Sequence, residues 1–196
     1  MDTTITTPGT VFIADGKRQR GFSLLEVVIS MAILTVGLVS LLGVFGMSMA
    51  ATQDTQQDMI AKQIANEALE SIITARNTAQ LQWSAIQNVA DGGIFLNNYQ
   101  PAKFPGGDGI LGTADDASAL YQHLTEPGAD GIYGTADDVQ MDLTNYQRKV
   151  EIRPVLTAGG TVDPSLRAVN ITVLYSTPRV HITKTYVLTT LISQYR

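Results

Sequence analysis

The stretch GFSLLEVVISMAILTVGLVSLLGVFGMSMAA, residues 21–51, decides how this chain begins to fold. Glu26 is the only charged residue from Phe22 to Ala51, and the 25 residues that follow it in this stretch are uncharged. Roughly 20 apolar residues suffice to cross a bilayer as a helix, so the stretch predicts one membrane span. An unpaired acid at the bilayer centre costs about 2.5 to 3.5 kcal/mol. Glu26 is therefore expected to have a partner, an interfacial position or a function near the beginning of the span.

The charges on either side of the span predict its orientation. Lys17, Arg18 and Arg20 precede it, whereas no basic residue follows it before Lys62. The positive-inside rule therefore places the N-terminus in the cytoplasm and the rest of the chain outside. A removable secretory signal fits poorly, because the apolar run is too long and no small-residue cleavage site follows it.

Helical periodicity continues after the apolar stretch ends. Apolar residues recur at three- and four-residue steps between polar ones, and no proline interrupts residues 22–100. We therefore predict one helix from Phe22 to about Asn77. Its first half, residues 22–51, faces lipid or a filament core, and its second half, residues 52–78, packs an apolar stripe on a globular domain. The stripe comprises Ile60, Ala61, Ile64, Ala65, Ala68, Leu69, Ile72 and Ile73.

Three segments near the C-terminus predict β-strands. Residues 146–153, 167–175 and 179–192 alternate in polarity and are rich in β-branched and aromatic side chains. Gly- and Pro-containing turns at 157–161 and 176–178 separate them. Residues 146–196 should thus form an antiparallel meander of about three strands, connected to the helix by residues 79–145. The predicted class is α+β.

The residues around Gly21 carry a family resemblance. Lys17-Arg-Gln-Arg-Gly21, followed by Phe22-Ser-Leu-Leu-Glu26-Val27 and the apolar helix, resembles the class III signal of type IV pilins and type II secretion pseudopilins. The resemblance implies a pilin fold, and a cytoplasmic leader, residues 1–21, that a prepilin peptidase removes after Gly21 before Phe22 is N-methylated. It also implies that Glu26 pairs with the new amino group of Phe22, usually on a neighbouring subunit. Opposite charges at about 4 Å in a low-dielectric setting attract strongly enough to offset burial.

The resemblance implies a structural subunit rather than an enzyme. A long leader favours a minor pilin or pseudopilin, and a helix without proline favours a minor component. The C-terminal segment, residues 187–193, resembles PilV-like and secretion-type minor subunits, and we expect a PilV-like minor pilin of a type IV pilus. A minor pseudopilin of type II secretion and a pilus-tip adhesion module stay open. The implied partners are the prepilin peptidase, other pilins or pseudopilins, the inner-membrane assembly platform, and lipid before assembly. The implied location is a single inner-membrane pass, followed by the periplasm and extracellular pilus, or by a periplasmic pseudopilus.

Several functional classes are disfavoured by what the chain lacks. It has no Gly-x-Ser-x-Gly, P-loop, dinucleotide fingerprint or His-Glu-x-x-His motif. Its formal charge of -5 argues against broad nucleic-acid binding, and its lack of cysteine removes disulfides and thiolate metal sites. His123 and His181 are isolated, so each is expected at the surface or half-buried. Aspartate pairs could do acid–base chemistry, but glycine-rich turns offer no evident apolar pocket to shift their pKa.

An acidic repeat occupies the connecting region. Residues 105–116 read PGGDGILGTADD and residues 127–138 read PGADGIYGTADD, with ten of twelve positions identical. Residues 105–144 hold eight acidic residues and no Lys or Arg. Such a density of like charges should repel itself unless the loop is spread in solvent or neutralised by a cation.

Calcium is the cation that the repeat predicts, with one or two ions bound. The glycines would allow the left-handed turns that aim oxygen atoms inward, and hard oxygen ligands suit Ca²⁺ at roughly 10⁻⁴ to 10⁻³ M. The spacing is not that of an EF-hand. The alternative is a pair of acidic turns that only solubilise a surface loop. The predicted ligands are Asp108, Asp115 and Asp116 in the first copy and Asp130, Asp137 and Asp138 in the second.

Overall fold

The computed structural model describes residues 21–176 and 182–195. The chain divides into two compact units, Met1–Met49 and Ala50–Arg196, and one helix, α1 (Leu24–Asn77), supplies residues to both. The predicted leader up to residue 20, and His181 with the neighbouring part of the third predicted strand, lie outside the described residues.

In the first unit, α1 begins just after Ser23. The Ser23 hydroxyl accepts a hydrogen bond from the Leu25 amide at 3.3 Å, which is an N-terminal capping contact. Further along, the hydroxyls of Ser30 and Ser40 donate to carbonyls four residues earlier, so these polar groups are satisfied within the helix. The large apolar side chains of this unit are exposed, and α1 is the one helix in the described part of the chain that is long and apolar enough to cross a membrane.

In the second unit, a four-stranded antiparallel sheet forms among the described residues. Its strands are β1 (Gln100–Pro101), β4 (Tyr146–Leu156), β5 (Val162–Ser176) and β6 (Thr183–Ser193), in the order β1-β4-β5-β6. β2 (His123–Glu126) and β3 (Val139–Asp142) form a separate antiparallel pair.

The helix and the sheet share one hydrophobic core. Six residues of α1 are buried at three- and four-residue spacing, as the apolar stripe predicts: Ala61, Ile64, Ala65, Ala68, Ile72 and Ala75. Alternate residues of β5, Val169, Ile171 and Val173, are fully buried, because successive side chains of a strand point to opposite faces. The rings of Tyr146 and Tyr175 stack with centroids 5.5 Å apart at one end of this core. The expected α+β pilin fold is confirmed.

The connecting region is more ordered in the structure than a loop prediction implies. Its described residues include β1 to β3 and 3-10 helices at Trp83–Ala85, Val89–Asp91 and Ala114–Ser118. Asn88 covers the free edge of β4: its side-chain amide donates to the Val150 carbonyl at 3.0 Å, and its oxygen accepts from the Ile152 amide at 2.8 Å. A side chain thus takes the place of a neighbouring strand, which protects a sheet edge.

The β4–β5 hairpin is longer than its sequence pattern predicts. A register shift between Pro154 and Val155 lets pairing continue to Leu156 opposite Val162, so β5 begins five residues before the predicted start at 167. Gly160, with a positive φ of 78°, supplies the turn that closes the hairpin.

Candidate processing motif and repeat loops

The predicted cleavage site lies in non-helical backbone immediately before α1. Gly21 and Phe22 are both exposed, and Phe22 keeps 81% of its accessible surface. Glu26 lies in the first turn of α1, where a carboxylate interacts favourably with the helix dipole. An exposed, non-helical peptide bond followed by a helix gives a membrane peptidase access to the backbone. The cleavage, methylation and pairing roles of Gly21, Phe22 and Glu26 stay predictions.

The first repeat loop, residues 105–116, is held by hydrogen bonds from its own backbone to its own carboxylates. The Asp108 carboxylate accepts from the Ile110 amide at 2.8 Å, and Asp115 accepts from the Asp108 amide at 3.0 Å and the Thr113 hydroxyl at 2.5 Å. These bonds, led by the one from Thr113, hold the pKa of Asp115 below its usual value. The aspartates of this loop therefore have structural partners within a few residues.

The second repeat loop, residues 127–138, repeats these contacts. Asp130 accepts from the Ile132 amide at 2.9 Å, and Asp137 accepts from the Asp130 amide at 3.3 Å and the Thr135 hydroxyl at 2.7 Å. The Thr135 hydrogen bond is the main cause of a lowered pKa of Asp137. The two copies therefore fold alike locally, because the same residue types recur at the same spacing.

The two copies differ in burial. Ile110 and Leu111 of the first loop keep only 3% and 1% of their accessible surface, whereas Ile132 and Tyr133 of the second keep 60% and 68%. The alternative of a loop that is spread in solvent thus fits the second copy and does not fit the first.

A buried ion pair fastens the first loop to the sheet. The Asp116 carboxylate accepts from the amides of Gly106 at 3.0 Å and Gly112 at 2.7 Å, and lies 3.8 Å from the guanidinium of Arg148. Burial raises the pKa of Asp116 although these partners oppose the shift. The expectation that the aspartate pairs lack an environment able to shift their pKa is therefore wrong for this residue.

Sequence reasoning missed Arg148 and Ser71. Arg148 lies two residues from both Tyr146 and Val150 on β4 and shares their buried face. A charged residue at an inward-facing position was therefore the available signal. Ser71 accepts the Leu111 amide at 3.2 Å across 40 residues of chain, a contact that no local pattern indicates. His123 is half-buried, as predicted, with its ring edge-on to Phe104 at 5.2 Å.

The grouping and the hydrogen bonds of the repeat carboxylates are the observations that concern the predicted calcium sites. Across residues 21–176 and 182–195, no group of three or more His, Cys, Asp or Glu side chains is arranged to hold a metal ion. All six predicted ligands accept hydrogen bonds from amides or threonine hydroxyls in these loops. Calcium sites also use backbone carbonyls. Calcium binding therefore stays a prediction for both copies.

One comparison with known families bears on the start of the chain. Residues 16–42 match the model of the prokaryotic N-terminal methylation motif. The matched residues include the basic residues at 17, 18 and 20, together with Gly21, Phe22 and Glu26. The match supports a type IV pilin-like family, a processed subunit and anchoring in a membrane through the apolar helix. No curated protein and no solved structure matches the chain.

Proposed function

We propose that this protein is a minor pilin of the PilV-like kind, cut after Gly21, methylated on Phe22 and assembled into a type IV pilus through α1. The observation that carries the proposal is the methylation motif at residues 16–42, which extends into the exposed apolar half of α1. An apolar helix with no buried side chains needs lipid before assembly and other helices after it. The chain then serves as a structural subunit and not as an enzyme.

Features outside the motif support the minor class. The leader is long, the apolar half of α1 contains no proline, and residues 187–193 resemble PilV-like and secretion-type minor subunits. The partners in this proposal are the prepilin peptidase, other pilins and the inner-membrane assembly platform. The second unit, Ala50–Arg196, is the head in this proposal. The head faces the periplasm first and the cell exterior after assembly.

A minor pseudopilin of a type II secretion system is the second candidate. The two acidic, glycine-rich loops at 105–116 and 127–138 favour it, because a calcium-binding loop is expected in that class. Deletion of the gene separates the two: loss of pili with normal secretion supports the pilin, and loss of secretion with normal pili supports the pseudopilin. A tip adhesion module predicts normal pili and secretion with lost adhesion.

Cleavage after Gly21 is tested by Gly21→Ala in the full-length chain. We expect the precursor to keep its leader, because the peptidase is proposed to recognise the glycine before Phe22. Gly37→Ala is the matched control, since a Cβ at either glycine meets no atom within 4 Å. Intact mass and N-terminal sequence report the outcome. Normal maturation of Gly21→Ala would defeat the assignment.

Pairing through Glu26 is tested by Glu26→Ala in cells that assemble the filament. We expect normal insertion and largely normal cleavage, but at least a several-fold loss of incorporation into filaments, because the amine of Phe22 then lacks its partner in a low-dielectric interior. Glu70→Ala, on the exposed face of α1, is the control. Undiminished incorporation of Glu26→Ala contradicts the pairing.

A further inference from the structure

The duplication places one sequence in two environments. The first repeat loop is docked on the protein: Ile110 and Leu111 are buried, the Leu111 amide donates to Ser71, and Asp116 faces Arg148 at 3.8 Å. In the second repeat loop the amides of Asp130 and Ile132 and the Thr135 hydroxyl donate to the same carboxylates as their counterparts in the first, but Ile132 and Tyr133 are solvent-exposed. One copy thus shows how this kind of loop binds a protein surface, and the other presents the corresponding side chains outward.

We propose that the second repeat loop, residues 127–138, is a docking loop for another protein whose surface combines an apolar pocket with an arginine. Ile132 and Tyr133 fill the pocket, and Asp138, the counterpart of Asp116, faces the arginine. Aromatic side chains at the centre of a contact contribute much of the binding energy in protein interfaces.

The position of the loop agrees with this role. It connects β2 to β3, and the pairing of Glu126 with Val139 closes the hairpin directly beneath it. All four residues of β3, which follows the loop, are exposed, and two of them, Val139 and Met141, are apolar.

One of the two positions that differ between the copies indicates the size of the pocket. Leu111 occupies the first loop at the position of Tyr133, and the adjoining Gly112 is packed so closely that an added Cβ would lie 2.6 Å from Val150. The corresponding Cβ at Gly134 meets nothing within 4 Å. The partner pocket must therefore be deeper than the intramolecular one and must accept a phenol ring.

A second copy of this chain is a poor partner, because those arginines of its second unit that the structure describes are already engaged. The receptor built from Ser71 and Arg148 is covered by the first loop of its own chain. Within the described residues, every arginine of the second unit contacts a group of the same chain: Arg76 with Ser193, Arg148 with Asp116, Arg153 with Glu151, and Arg167 with Trp83 and Ile86. A lipid surface is disfavoured because Asp130, Asp137 and Asp138 would face anionic headgroups.

The test is site-specific photo-crosslinking of the full-length protein in the cells that produce it. The photoreactive residue p-benzoylphenylalanine replaces Tyr133, and in a control it replaces Leu156, which is 61% exposed on the β4–β5 hairpin. We expect a light-dependent adduct with one protein at position 133 and not at 156, mapped to a peptide that contains or adjoins an arginine.

Second-site changes make the test specific for docking. Ile132→Ser should lower the adduct yield at least about tenfold, because most of the apolar contact is lost. Its thermal midpoint should stay unchanged, since Ile132 is exposed in the free protein. Asp138→Asn should lower the yield by a smaller factor. The proposal is overturned by no adduct above the Leu156 control, by an adduct with lipid or with a second copy, or by a yield that Ile132→Ser leaves intact. These outcomes do not depend on cleavage after Gly21, which the Gly21→Ala experiment reports separately.

Discussion

Two aspartates at equivalent positions of the repeat lie in different environments. Asp116 is buried against Arg148, whereas Asp138 is partly exposed and accepts the Gly134 amide at 2.6 Å. Removing a carboxylate that is exposed to water costs the protein little stability. Removing one member of a buried ion pair costs more, because the other charge is left unpaired. The same residue type should therefore contribute very differently to stability in the two copies.

Asp116→Ala should lower the free energy of unfolding by about 3 to 5 kcal/mol, because Arg148 stays buried without its salt-bridge partner. Asp138→Ala removes an equivalent side chain with a similar backbone contact and should cost about 1 kcal/mol or less. Urea unfolding of the full chain in detergent, followed by the fluorescence of Trp83, the single tryptophan, measures both. Equal losses in the two variants would contradict a stabilising role of the Asp116–Arg148 contact.

Asp58 predicts a pH dependence at the acid end. The Tyr175 hydroxyl donates to its carboxylate at 2.6 Å, and this bond, assisted by Lys184, lowers the pKa of Asp58. A lowered folded-state pKa stabilises the protein above the unfolded pKa of about 4 and loses that contribution as the pH falls through the folded value. The effect should stay below about 1 kcal/mol, because the side chain is 47% exposed and screened.

Thermal midpoints between pH 2 and pH 7 check this expectation. Asp58→Asn should flatten the acid end of the curve relative to the unsubstituted protein. Asp54→Asn, which removes another carboxylate near Lys184 but leaves the Tyr175 bond, is the control and should keep that part of the slope. An unchanged slope in Asp58→Asn would rule out Asp58 as its source.

At the level of elements, the helix and strands that produce a local sequence pattern were predictable, whereas the start of β5 and the contacts at the edge of β4 were not. The 3.6-residue stripe placed the buried face of α1, and alternation placed β4 and the buried core of β5. The start of β5 depends on a register shift between Pro154 and Val155. The cover of the β4 edge depends on a contact of Asn88 with Val150, 62 residues away along the chain. A pattern read along the chain contains no information about such contacts.

The glycines of the loops allow a prediction at the same level. Gly112→Ala should lower the free energy of unfolding by about 2 to 5 kcal/mol: the positive φ of 92° strains an alanine, and its Cβ would meet Val150 at 2.6 Å. Gly134→Ala, at a φ of 85° with nothing within 4 Å, carries only the strain of about 1 to 2 kcal/mol. Urea unfolding should rank the two in this order, and the reverse order would mean that the first loop is not packed on Val150.

The whole molecule combines an exposed apolar helix segment with a head that has its own core. Among the described residues, those of the buried core, from Ala61 to Ile192, belong to the unit that begins at Ala50. The helix segment before it has apolar side chains that only lipid or other helices can cover. Membrane anchoring and assembly thus depend on the first unit, and stability in water depends on the second.

Calcium binding is tested at the level of the whole protein in detergent. If the repeats bind Ca²⁺ at roughly 10⁻⁴ to 10⁻³ M, 10 mM calcium should stabilise the head by about 1.4 to 2.7 kcal/mol, provided that binding requires the folded loops. Calorimetric titration and melting with and without calcium measure this, and Mg²⁺ at the same concentration is the control. A flat titration together with an unchanged thermal midpoint would contradict the calcium prediction.

The sequence by itself determined the motif around Gly21, the apolar half of α1 and the local conformation of both repeat loops. These features depend on residue types and spacings within about one span or one turn, so identical segments fold alike. Only the tertiary structure decided that the first loop is buried and the second exposed. The reason is physical: burial depends on partners such as Ser71 and Arg148, each more than 30 residues away from the loop residue it contacts, and those partners exist for one copy only.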